Sequence, residues 1–266
     1  MTSNPLVRVL LFALAPALLA VAGGTLAAFR PPGPKLRSFL QHFAAGVVFS
    51  VVGVELLPDI LRVHAPAQVV IGFSLGVLTM LGIRSLGRKL EGEAPAGEPK
   101  KAGEVAPESA TGDDPAPPES GERRPAALIF AVGVDVLVDG LLVGIGFAAG
   151  AKEGAMLTAA LSVELLSLGL ATSATLRKNG APRGRTVATI GGLAVLILIG
   201  AGLGATLLRG LSDKAMEVVL SFGLAALMFL VTEELLVEAH EEPETPLSTA
   251  MFFVGFLAFL IVGMVA

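Results

Sequence analysis

The sequence predicts an all-α integral membrane protein with eight transmembrane helices, and three observations carry that expectation. Of 266 residues, 53% are hydrophobic and only 16% charged, with a mean hydropathy of +0.77, outside the usual range for soluble domains of this size. Eight apolar runs reach the roughly 20 residues needed to cross a hydrocarbon core. Finally, 14 of the 19 basic residues fall in alternate connections, as expected when positive residues in short loops are held on the cytoplasmic side.

The runs lie near residues 5–28, 38–57, 67–86, 126–150, 154–176, 187–208, 214–237 and 248–266. The first also has features of a signal peptide, since Arg8 precedes it and small residues close it around Thr25 to Ala28. Its length, Pro16 at its middle and the charge count favour retention as a span. Basic residues cluster in the first connection (Arg30, Lys35, Arg37), the third (Arg84 through Arg124) and the fifth (Arg177, Lys178, Arg183, Arg185). Both termini are therefore expected outside the cytoplasm. The last connection, His240 to Pro246, carries no Lys or Arg although parity places it inside.

Between Gly87 and Pro125 the composition turns to Pro, Gly, Ala, Glu and Asp, which cannot build a core, so a disordered cytoplasmic loop is expected over 87–125. Regulation or partner binding is one role for it; a solvated tether is the simpler one. It divides the chain into three helices within 1–86 and five within 126–266, a 3+5 bundle. The basic end of the third run, Gly82 to Lys89, suits an anionic leaflet. Glycines at 140, 144, 146 and 150 and at 200, 202 and 204 suit close helix packing.

Composition also excludes chemistry. Without cysteine there are no disulfides, thiolate nucleophiles or Cys-based metal sites, so any metal must be held by oxygen or by His42, His64 or His240. No glycine-rich stretch continues into the Gly-Lys-Ser/Thr of a P-loop, which leaves ion gradients as the driving force for any transport. Trp and Tyr are absent, so Phe, Lys and Arg must anchor the helix ends in place of the usual aromatic belt.

The exceptional residues are Asp135, Asp139 and Glu164. Holding one acid at mid-bilayer depth costs about 2.5 to 3.5 kcal/mol on insertion scales, so three at one level require pairing, a bound cation or a wet cavity. Asp135 and Asp139 stand one helical turn apart on one face. The short connection Gly150 to Gly154 folds the fifth run back antiparallel, bringing Glu164 to similar depth, with Ser167 a weak oxygen ligand one turn further along. The plain alternative is a set of protonated acids making helix-to-helix hydrogen bonds. Further acids stand near helix ends: Glu55 and Asp59 in the second run, Glu233 and Glu234 in the seventh. They read as an ion pathway or as a solvated rim. His42, early in the second run, fits a packing residue as well as a pathway one.

With these residues in view, the chain resembles the ZIP family of divalent-metal transporters. Eight spans, outward termini and a long loop after the third agree with that family. Its fourth-span pattern His-Asn-x-Pro-Glu-Gly is echoed by Asp135-Val-Leu-Val-Asp139-Gly140, and its fifth-span pattern His-x-x-Pro-Glu-Gly-Leu-Ala by Glu164-Leu-Leu-Ser-Leu-Gly169-Leu-Ala. Glu55-Leu-Leu-Pro-Asp and Glu233-Glu-Leu-Leu-Val-Glu-Ala-His are similar to the second and seventh spans of bacterial members. The departures are specific. Acids replace both histidines, Val136 the Asn, Val138 and Ser167 the prolines, and Leu168 the second motif's Glu.

The resemblance implies a secondary transporter of the cell membrane, not an enzyme, working by alternating access. Its cargo would be a divalent cation such as Zn, Mn or Fe(II), held by Asp135, Asp139, Glu164 and Ser167, with no organic cofactor. An all-oxygen set suits one hard cation better than a binuclear zinc centre. Membrane lipid and the cation are the implied partners, with a homodimer open and no role for nucleic acid. The altered motifs also admit a transport-inactive scaffold or sensor of the same fold. An intramembrane aspartyl protease fits poorly, because both aspartates sit on one helix without a Gly-x-Gly-Asp turn.

Overall fold

A computed structural model describes residues 4–91, 125–208, 210–240, 243 and 245–265. Eight long helices follow one another: α1 (Pro5–Phe29), α2 (Pro34–Val63), α3 (Pro66–Glu91), α4 (Pro125–Ala149), α5 (Ala151–Lys178), α6 (Arg183–Leu207), α7 (Asp213–Ala239) and α8 (Pro246–Val265). All eight are long and apolar enough to cross a membrane, and no strand occurs among the described residues. Starts follow local chemistry. Pro5 and Pro34 open α1 and α2, where a missing N–H is harmless. Asn4 accepts a hydrogen bond from the Leu6 N–H at 3.1 Å, and Ser212 caps α7 through the Ala215 N–H. The α5–α6 turn passes through Gly180 at φ +81°, a conformation that favours glycine.

Two boundaries differ from the hydropathy-based expectation. The second helix runs on to Val63, past Pro58, where apolar continuity ends. Val52–Leu56 forms a π-helical turn in which the Leu57 N–H reaches back five residues to the Val52 carbonyl. The register shift restarts the α-helix with Pro58 in its first turn, where its ring and missing donor are tolerated. The third helix continues through the basic cluster to Glu91, since Lys and Arg are good helix formers once outside hydrocarbon. The expected disordered loop is thereby shortened, and residues 92–124 lie outside the described residues.

Packing regroups the three-plus-five order of the chain into two sets of four. In the first, α1 lies on α5 and α6, and α4 on α5 and α6; in the second, α2 packs on α7 and α8, and α3 on α7. Glycine accounts for this sorting. A methyl added at Gly23 or Gly169 would strike backbone across the α1–α5 contact, and the same holds for Gly140 and Gly200 across α4–α6 and for Gly46 and Gly255 across α2–α8. Backbones that approach this closely pack through dispersion, the main attraction available between helices in lipid. Between the sets, contacts run through α2–α5, α3–α4 and α4–α7. There Gly223 meets Leu142 and Ile145 only at ordinary van der Waals distance.

Candidate metal-ion site

The site lies where the two sets meet. Asp135 and Asp139, one turn apart, project from α4; Glu164 projects from α5, which the Gly150 turn lays alongside. Each of the three offers an oxygen within 4.8 Å of the other two. Oxygens on opposite sides of one cation at ordinary bond lengths of about 2.3 to 2.6 Å stand about as far apart, so a single ion fits between them. Asp139 and Glu164 are each 1% exposed. Asp139 Oδ2, Glu164 Oε2 and Ser167 Oγ are buried without a hydrogen-bond partner in the protein. Buried polar atoms are rarely left so, and each costs about 1 to 3 kcal/mol unless something satisfies it.

Two cavities reach this cluster. The inner one, about 20 Å³, is walled by Gln41, Asp135, Glu164, Ser167, Glu234 and Glu238. That is room for one ion or one water. The outer one, about 280 Å³, continues from Asp135 and Glu234 past Glu233 and Arg84 toward Gly87 and Leu128, at the α3–α4 end of the bundle. Asp135 of α4 and Glu234 of α7 line both cavities together.

The four residues expected to hold metal are thus brought together, Ser167 lining the inner cavity. The pathway residues separate. Glu234 belongs to the site itself. Its neighbour Glu233 turns outward and pairs with Arg84. Glu55 is not at a water-filled helix end: it is 9% exposed, on the π-helical turn of α2, and stands 3.9 Å from Lys152 of α5, whose ammonium also donates to the Gly263 carbonyl at 3.2 Å. Lys152 therefore ties the two helix sets together at the bundle end opposite the outer cavity. Asp59 pairs with Arg62 at 3.2 Å. His42 is buried, its Nδ1 2.9 Å from the Ser38 carbonyl and its ring beside His240.

Two wall residues escaped sequence reasoning. Gln41 is 1% exposed and donates through Nε2 to Glu238. Neither stands out in the sequence, because each is one polar residue among others near a helix end. The outward Glu233–Arg84 pair should matter little to stability. Its side chains are 42% and 39% exposed, and exposed pairs contribute about 0.2 to 1 kcal/mol. Thermal unfolding of Arg84→Gln in detergent should show a loss no larger than that; a larger one would make Arg84 a structural clamp.

A family model described as ZIP zinc transporter matches residues 87–263, about two thirds of the chain, and the match contains α4 through most of α8 with every carboxylate of the site. No curated protein matches the chain.

Proposed function

Because the chain belongs to the ZIP zinc transporter family, whose members move divalent metals, we propose that it carries one divalent cation at a time through the Asp135–Asp139–Glu164 site. The observation that carries this is the set of buried oxygens within 4.8 Å of one another, of which Asp139 and Glu164 each leave one unpartnered. Asp135, Asp139 and Glu164 ligate the ion, and Ser167 and water supply weaker oxygens. The inner cavity has room for one ion, which agrees with a mononuclear site.

The basic connections support an orientation with the α3–α4 end, and with it the outer cavity, on the cytoplasmic side and both termini on the other. The site then communicates inward while the Lys152–Glu55 contact closes the opposite end. Two helix sets that pack tightly within themselves and loosely on each other can shift as bodies about a midplane site. Carboxylates must be deprotonated to bind metal, so any proton held by the acids of the site leaves as the cation arrives. That exchange couples transport to a proton gradient.

The all-carboxylate donor set favours a hard ion such as Mn²⁺ over Zn²⁺, whose protein sites usually include imidazole or thiolate. In proteoliposomes, Mn²⁺ uptake should exceed Zn²⁺ uptake at equal concentration. Uptake confined to Zn²⁺ would refute the selectivity, and no uptake of any divalent cation would favour the scaffold reading.

A further inference from the structure

Asp135, Asp139 and Glu164 all stand on α4 and α5, in one helix set. Glu234 comes from α7, in the other. It lies there because α7 is not a regular helix. Leu230–Leu235 is a π-helical turn, with the Leu236 N–H bonded to the Val231 carbonyl five residues back. Such a turn inserts one residue into the α register, and one residue is worth about 100° of rotation. Neighbouring residues stand about 100° apart on any helix; the shifted register sets which of the two acids faces the site, with Glu233 meeting Arg84 and Glu234 lining the inner cavity with Glu164 and Ser167. π-helical turns persist mostly where a function keeps them.

The same wall contains Leu168, so α5 offers Glu164 as its one carboxylate there. The atoms that face the same small space and lack protein partners include Glu164 Oε2 and Ser167 Oγ, on residues 1% and 2% exposed. We propose that Glu234 is a fourth ligand for the cation, lent by the α2/α3/α7/α8 set to a site otherwise carried on α4 and α5. This rests on the transport site described above. The side chain takes the ion from the inner cavity, whose wall it shares with Asp135. A cation held this way is bound by both helix sets at once. It locks them in the present arrangement, and any displacement of one set against the other strips one ligand and weakens the hold. Affinity then depends on conformation through a single residue.

Equilibrium binding of Mn²⁺ and the visible absorption of bound Co²⁺, measured on the full chain in detergent, test this. Glu234→Gln keeps the size of the side chain and its hydrogen-bonding capacity but removes the charge. It should weaken Mn²⁺ binding by about 10- to 100-fold, the range for losing a partner of a metal site, and alter the Co²⁺ band, which reports the number and arrangement of ligands. Glu233→Gln should change neither. Unchanged affinity in Glu234→Gln, or weakened affinity with an unaltered Co²⁺ band, overturns the inference. Absence of Mn²⁺ and Co²⁺ binding in the unmodified chain instead overturns the site reading on which it rests.

Discussion

Glu164→Gln should lower cation uptake by at least about 100-fold while leaving the protein as stable as before, or more so. Losing a supporting partner of a metal site commonly costs about 10- to 100-fold in affinity, and Glu164 is a direct charged ligand, so the upper end is the minimum. Stability moves the other way because Asp135, Asp139 and Glu164 crowd their oxygens within 4.8 Å. Like charges so close oppose one another unless a cation or protons intervene. An amide of the same shape removes one charge and fills the same space. Asp139→Asn should behave alike. Uptake in proteoliposomes and thermal unfolding of the purified chain check the two halves of the expectation separately. Uptake near the unmodified level in both variants would exclude this cluster as the transport site. Parallel loss of uptake and stability would make the acids structural.

Gly200→Ala should be strongly damaging although it lies outside the site. Its new methyl would press on the backbone of Leu137, Gly140 and Leu141 across the α4–α6 contact. Backbone cannot rotate aside as a side chain can, so the helices must separate. Overpacking costs about 1 to 3 kcal/mol, and separation also loosens Gly144 against Gly204 one turn along. Because α4 carries Asp135 and Asp139, its displacement should weaken cation binding as well. Gly191→Ala is the control on the same helix. Nothing lies within 4 Å of the position, and alanine is the better helix former by about 1 kcal/mol, so its unfolding temperature should hold or rise. Equal behaviour of the two variants would mean that the α4–α6 contact contributes no stability.

The site was legible in part. Asp135 and Asp139 announce themselves by spacing, because one helical turn puts both on one face wherever the helix lies. Glu164 follows from the short Gly150 turn, which forces neighbouring helices antiparallel. Glu234 could not be separated from Glu233, since the sequence does not record the π-helical turn that sets which of the two faces the site. Glu55 read as part of an ion pathway or a solvated rim because the apolar run ends near residue 57; the π-helical turn at Val52–Leu56 lets the helix continue, and the acid is buried near Lys152.

The sequence by itself determined the number of spans, their approximate limits and three of the carboxylates, because hydropathy and one-turn spacing are local properties that survive any arrangement of the helices. Only the tertiary structure decided that α1, α4, α5 and α6 form one set and α2, α3, α7 and α8 the other, and that a carboxylate from the second set faces the site of the first. Helix partners in lipid are chosen by where glycines on two distant segments coincide. The bearing of Glu234 was settled by a backbone register that side-chain periodicity does not record.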